Sequence, residues 1–381
     1  MSAFEISVFK DIFSLDGKER YIELNNTVGQ RWYIPFHNHG DFMSLFQPSS
    51  VKGRLFAKTL NFVKYFPKLL NIAYARIISL SISNDFQEFI DGVFCSRNCS
   101  FGIFCGSPGR HQKLTLLVSN GKDILGYCKL TDKEDIYHLF TEECKHLEYL
   151  HSKGIENVPT SLHCGKLDFC NLYAFVQTTE RRKRVKQANC LSRELIDFVQ
   201  TVKEKTAQKI SFDDSDFALA LLRLRKNLKF LKNIQLCDSI KNGIKYIEGK
   251  KNLFDEFYAS HGDLTAWNSF IVDDHLFVFD LEYFKQSYPL LCDYFHFFTQ
   301  DMLYKGYADA NKIWYKYKSV KKIFSGINQI DVYFLAYLLV IIDFYLSRDH
   351  GILNKRLESC FSIWSELIEK LIIDDKKIDN R

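Results

Sequence analysis

In the middle of the chain the apolar residues come in short runs bounded by turn formers. Phe101-Gly102-Ile103-Phe104-Cys105 is one such run, Leu114 to Val118 a second and Ile124 to Leu130 a third, and each predicts a strand. Gly106-Ser107-Pro108-Gly109 separates the first two as a turn. Ser119-Asn120-Gly121-Lys122 separates the next two, and its Asn-Gly pair predicts a tight hairpin. The period then changes. Between Glu134 and Ser152, Phe140, Cys144, Leu147 and Leu150 recur at helical spacing, and Gly154 stands where such a helix should stop. Pro159 to Cys164 and Asn171 to Gln177 read as two further strands. Beyond Thr178 the pattern is mostly helical. One late run, Val332 to Ile342, is almost wholly apolar; it is shorter than a bilayer span and Asp343 follows it, so it predicts a buried core helix.

Composition adds bounds. The 381 residues suffice for two or three domains, and 46% hydrophobic with 25% charged residues describes a folded chain. The formal charge of +5 is compatible with phosphate-rich ligands; no nucleic-acid partner is expected. Eleven scattered cysteines form no C-x-x-C, which predicts reduced thiols. The opening MSAFEISVFKDIF lacks the basic and long apolar regions of a signal peptide, and the expected location is the cytoplasm. Cys95, Cys99 and Cys105 lie close enough in sequence to suggest zinc, though their spacing is not that of the usual knuckles.

Residues 1–95 read as a separate segment. From Val51 to Asn84 it holds no acidic residue, while Lys52, Arg54, Lys58, Lys64, Lys68 and Arg76 are interleaved with apolar residues. Two readings stand: a solvated basic face on a helix pair, or a surface with weak affinity for an anionic membrane or glycan.

The chemistry concentrates in Ser260-His261-Gly262-Asp263-Leu264-Thr265-Ala266-Trp267-Asn268. Phe270-Ile271-Val272, a turn at Asp273-Asp274, and Leu276-Phe277-Val278-Phe279-Asp280-Leu281-Glu282 follow. This pattern predicts a loop, a strand, a tight turn and a second strand. The loop offers a carboxylate and, five residues on, an amide; the second strand ends on another carboxylate. Phosphoryl transfer needs a carboxylate to orient a hydroxyl and take its proton, and hard oxygen donors to hold magnesium against phosphates. A second His-Gly-Asp, His39-Gly40-Asp41, has Phe46 where the amide should stand and is set aside.

The segment resembles the H-G-D-x-x-x-x-N and D-x-E signature of the aminoglycoside phosphotransferase and choline kinase family, whose fold is protein-kinase-like. The resemblance covers roughly residues 101–300 and is strongest over 261–282. It implies an α+β, two-lobed chain: an N-terminal extension (1–95), a β-rich N-lobe (96–178) and a helical C-lobe (179–381). It further implies Asp263 as catalytic base, Asn268 and Asp280 as magnesium ligands and His261 as a brace for the loop; Glu282 falls on the second acidic position, with a less definite role. Lys129 on the third strand would meet the nucleotide's α and β phosphates, held by Glu143, which opens the helical pattern Glu143-x-x-x-Leu147-x-x-Leu150, with Glu142 as the adjacent rival. Gly106, Ser107 and Gly109 would form a reduced phosphate loop, and Val176 and Gln177 would lie at the hinge, where backbone groups meet a purine edge. The implied ligands are ATP or GTP with Mg2+, and the acceptor is a hydroxyl of a small molecule or glycan.

Two other classes compete. A catalytically silent, nucleotide-binding relative is disfavoured by the intact set Lys129, Asp263, Asn268 and Asp280. A protein kinase is disfavoured by Gly262, which stands where those enzymes carry arginine, and by Tyr288-Pro289-Leu290-Leu291-Cys292-Asp293-Tyr294, which resembles the P-x-x-x-D stretch of small-molecule kinases. The basic run Arg181 to Lys186 reads equally as a solvated loop or as a surface for an anionic acceptor or membrane.

Overall fold

The computed structural model describes residues 9–26, 29–37, 42–46, 55, 59–60, 62, 64–66, 75–109, 112–182, 185–348 and 351–379. The chain divides into a strand-rich unit (residues 1–150 and 158–185) and a helical unit (151–157 and 186–381).

The strand-rich unit is built on one antiparallel sheet. Its strands are β1 (Phe13–Asn25), β2 (Arg31–Pro35), β3 (Ala75–Ile82), β4 (Ser100–Phe104), β5 (Leu114–Asn120), β6 (Asp123–Thr131), β7 (Ser161–Lys166) and β8 (Tyr173–Thr178), in the spatial order β3-β1-β2-β4-β5-β6-β8-β7. Helix α1 (Asn84–Val93) joins β3 to β4, and α2 (Glu134–Ser152) joins β6 to β7. The run from β4 through β5, β6 and α2 to β7 and β8 is the element order of a protein-kinase N-lobe. The expected hairpin is present: Asn120 pairs with Asp123, and Gly121 takes the left-handed conformation that the two-residue turn requires.

No boundary exists at residue 95. β1, β2 and β3 belong to the same sheet, with β2 paired to β4 through Trp32–Phe104 and Tyr33–Ile103. The strands in this segment escape pattern reading because Tyr21-Ile22-Glu23-Leu24 in β1 is buried without alternation. Arg76 on β3 meets the buried Glu23. The helix pair expected between Val51 and Asn84 is in part β3. Nor is Lys64 a solvated cation: it is buried, and its Nζ donates to the Phe36 carbonyl at 2.8 Å. Lys52, Arg54, Lys58 and Lys68 lie outside the described residues, as does His39-Gly40-Asp41.

The helical unit comprises α3 (Arg193–Thr206), α4 (Asp216–Asn227), α5 (Ile234–Gly249), α6 (Cys292–Tyr304), α7 (Ala310–Val320), α8 (Ile330–Arg348) and α9 (Lys355–Asp379). Between α5 and α6 run four short strands, β9 (Tyr258–Ser260), β10 (Ser269–Val272), β11 (His275–Val278) and β12 (Lys285–Tyr288). α8 is long and apolar enough to cross a membrane, yet it packs against α4, α5, α6 and α9. Its apolar run is the core of the unit, as its pattern predicts, and Asp343 within it is buried against Arg223 at 2.8 Å.

Candidate functional site

In the strand-rich unit, α2 buries one stripe: Ile136, Phe140, Glu143, Leu147 and Leu150. A carboxylate in such a stripe persists only with a partner. Glu143 finds it in Lys129 of β6, whose Nζ donates to Oε1 at 2.9 Å and to Oε2 at 2.7 Å, both side chains being buried. Lys129 pairs across the ladder with Phe175 and lies 5.6 Å from the centre of its ring. Glu142, the alternative partner, is one position round the helix and bonds Lys145 at the surface.

The other expected nucleotide residues divide. Gly106 begins the β4–β5 turn with φ +73°, where an added Cβ would come within 2.5 Å of the Lys113 carbonyl. This turn therefore requires glycine. The Ser107 hydroxyl accepts from Gln30, and Gly109 faces open space. Val176 and Gln177 lie inside β8, paired to β6 on one side and β7 on the other. The β7 register shifts beside them, between Ser161 and His163, and β8 ends one residue beyond Gln177, at Thr178. The Gln177 side chain offers something else: its Oε1 is buried with no hydrogen-bond partner among the described residues, so it is an acceptor suited to a donor such as a purine amine.

The three cysteines considered for zinc do not suit it. Cys99 and Cys105 are buried and Cys95 is exposed, and among the described residues no group of three or more His, Cys, Asp or Glu side chains is placed to hold a metal ion.

In the helical unit, the loop from His261 to Asn268 leaves β9 under tight control. Asp293, in the first turn of α6, is buried and accepts three hydrogen bonds: Ser260 Oγ at 2.7 Å, the His261 N–H at 2.8 Å and the Gly262 N–H at 3.2 Å. Gly262 has φ +80°, and a Cβ there would lie 2.3 Å from the Tyr283 carbonyl oxygen. No other residue fits this position without moving the backbone. His261 then fixes the loop's other side. Its Nδ1 accepts from the Asp263 N–H at 3.2 Å, so the ring proton sits on Nε2, which donates to the Phe279 carbonyl at 2.9 Å. The bracing role implied for this histidine has a concrete form here, tying the loop to the end of β11.

β10 and β11 form a hairpin through Asp273 and Asp274, both at positive φ, with Val272 opposite His275. At its open end the Phe279 N–H donates to the Asn268 carbonyl at 3.1 Å, so Asn268 lies opposite Phe279 and Asp280 comes next in the chain. Asp280 itself turns through φ +69°. Asn268 Nδ2 donates to Asp263 twice, at 3.0 Å to the main-chain oxygen and 3.0 Å to Oδ2. With its nitrogen so engaged, the amide directs its oxygen elsewhere. An amide oxygen beside a carboxylate is a donor set suited to magnesium.

The structure therefore brings Asp263, Asn268 and Asp280 to one end of one hairpin, and it adds a residue that sequence reading did not single out. His296, one turn into α6, places Nε2 2.9 Å from Asp263 Oδ1. Its pattern gave no sign, because α6 is apolar on most sides and a lone histidine there reads as core. Two tyrosines feel the charge of the same carboxylate. Burial, and after it Asp263, pushes the Tyr345 hydroxyl up to about 12; Tyr283 is likewise raised by burial and by Glu282, Asp280 and Asp263. In the run from Arg181 to Lys186, Lys183 and Arg184 lie outside the described residues, and Lys186 bridges to Ile271.

No protein-family model matches the chain, and no curated protein sequence matches it. Solved structures similar to it in fold include an aminoglycoside phosphotransferase APH(4)-Ia mutant in ternary complex with AMP-PNP and hygromycin B (10% identity, 76% of this chain and 98% of that one, TM-score 0.49). A second is an amicoumacin kinase in complex with AMP-PNP, Ca2+ and Ami (12%, 71% and 88%, 0.44). A third is the ADP-bound aminoglycoside phosphotransferase APH(2'')-Ib (13%, 75% and 97%, 0.42). The likeness is one of fold alone.

Proposed function

We propose that this protein is a nucleotide-dependent phosphotransferase that moves a γ-phosphoryl group to a hydroxyl of a small molecule or glycan. The observation that carries the reading is the Asp263 carboxylate, partly exposed, held by the amide of Asn268 at the hairpin end from which Asp280 follows. Asp263 would orient the acceptor hydroxyl and take its proton as the oxygen attacks phosphorus. Asn268, through its amide oxygen, and Asp280 would hold magnesium, which when bound neutralises phosphate charge. Lys129, steadied by Glu143, would bind the α and β phosphates. Gly106 and Ser107 would line a phosphate-binding turn, and Gln177 would contact the base.

The Lys129–Glu143 pair gives a separable prediction. Lys129→Met should destabilise the strand-rich unit by about 3 kcal/mol, because it leaves a buried carboxylate unpaired. Adding Glu143→Leu should restore most of that stability while nucleotide affinity stays lost. Thermal melts and nucleotide titrations of the single and double variants test it; recovered affinity in the double variant would remove Lys129 from nucleotide binding.

Of the cations that suggested an anionic acceptor, Lys64 and Arg76 are engaged within the fold, by Phe36 and Glu23. Acceptors are therefore best screened without regard to charge. Nucleotide consumption should be followed with ATP and with GTP, in magnesium, over a panel of neutral sugars, aminoglycosides and phosphorylated sugars. Acceptor-dependent consumption that disappears in Asp263→Asn supports the reading; a panel with no nucleotide binding and no turnover contradicts it.

A further inference from the structure

Asp263 is held from two sides, and only one of them belongs to its own loop. Asn268 holds Oδ2. His296, on α6, holds Oδ1 at 2.9 Å, with its side chain 3% exposed against 27% for Asp263. A carboxylate only accepts, so Nε2 of His296 is the donor. The far side of the ring is also engaged. Nδ1 lies 3.4 Å from the Tyr337 hydroxyl on α8, and that hydroxyl lies 2.5 Å from Thr299 Oγ1, one turn along α6 from His296. With the ring proton on Nε2, Nδ1 accepts from the Tyr337 hydroxyl, and Tyr337 in turn accepts from Thr299. Tyr337 and Thr299 are both buried. The row Thr299–Tyr337–His296–Asp263 therefore runs from a buried hydroxyl in the core to a carboxylate that solvent reaches.

We infer that His296 is a positioning residue for the transfer step, acting through Asp263 without touching the acceptor. The inference rests on the phosphotransferase reading above. In the step itself the acceptor oxygen bonds to the γ-phosphorus and the bond from phosphorus to the bridging oxygen breaks. The electron pair leaves with the nucleoside diphosphate, and the hydroxyl proton passes to the Asp263 carboxylate. That carboxylate must present a lone pair along one direction, since a misplacement of about 1 Å can cost a factor of about 100 in rate. One donor on each oxygen stops rotation about Cβ–Cγ, and the buried row behind His296 fixes the ring that supplies one of them. A histidine serving the core alone would spend both nitrogens on buried groups. This one spends Nε2 on the carboxylate assigned to catalysis.

The test uses the full chain and MgATP, with water as the acceptor and phosphate release as the signal. His296→Leu should lower kcat by about 10- to 100-fold while KM for MgATP changes by less than about threefold. His296→Gln, which keeps an N–H at the end of the side chain, should recover a substantial part of that loss. A folded His296→Leu protein with unchanged kcat, or a Gln variant no better than Leu, overturns the inference. If the wild type neither binds nor hydrolyses MgATP, it is the phosphotransferase reading that fails, and the contact is then read directly. In histidine-labelled protein, the His296 Nε2–H should give a downfield, slowly exchanging proton resonance that is lost in His296→Gln and displaced in Asp263→Asn. Its absence from the wild type, or its indifference to Asp263→Asn, overturns the positioning role irrespective of turnover.

Discussion

Asp263→Asn is expected to lower the rate of phosphate release from MgATP by about two to four orders of magnitude, the scale of lost general-base assistance. Asparagine has the size of aspartate and keeps an oxygen to accept from His296 or Asn268, so the loop should survive. What disappears is the proton acceptor. Nucleotide affinity in magnesium should stay within about threefold of the wild type, because Asn268 and Asp280 are untouched. The split between rate and binding is the informative outcome. A variant that turns over normally would take Asp263 out of the mechanism, and one that also loses nucleotide would make the residue a ligand or a structural anchor.

The second large effect should be on stability and should come from Asp293. Its carboxylate gathers one hydroxyl and two main-chain N–H groups at the base of the loop. Asp293→Ala leaves all three without their acceptor in a buried place. At about 1–3 kcal/mol for each unmet donor, with some relief from entering water, the helical unit should lose about 5 kcal/mol. Chemical denaturation that resolves the helical unit measures this. Activity should fall even under conditions where the variant stays folded, since Gly262 and His261 are held by the same carboxylate. A loss below about 1 kcal/mol would show that the loop keeps its shape without Asp293.

Much of this arrangement was legible beforehand, for identifiable reasons. The strands from β4 to β6, helix α2 and the hairpin of β10 and β11 are local structures, and their turns carry the residues that their geometry needs: Gly121 in one, Asp273-Asp274 in the other. Glu143 was legible because helical spacing puts it in line with Leu147 and Leu150. Glu23 was not. It sits in an unbroken buried run whose partner, Arg76, is far along the chain, so no local period reveals that β1 and β3 complete the sheet. The surroundings of Val176 and Gln177 were hidden for a similar reason: which strands flank β8 is decided by β7, a neighbour in space. His296 was invisible for the simplest reason. Its importance lies in one 2.9 Å contact to a residue 33 positions away, and nothing in an apolar helix marks it.

The most direct test is calorimetric. ATP titrated into the protein in the presence of magnesium should bind, and the affinity should fall by an order of magnitude or more (about 1.4 kcal/mol per factor of ten) when magnesium is replaced by a chelator. Asp280→Asn should remove that dependence, binding nucleotide equally weakly with and without the metal. Wild-type affinity for magnesium nucleotide in Asp280→Asn would contradict the assignment, and absence of nucleotide binding by the wild type under both conditions would contradict the account as a whole.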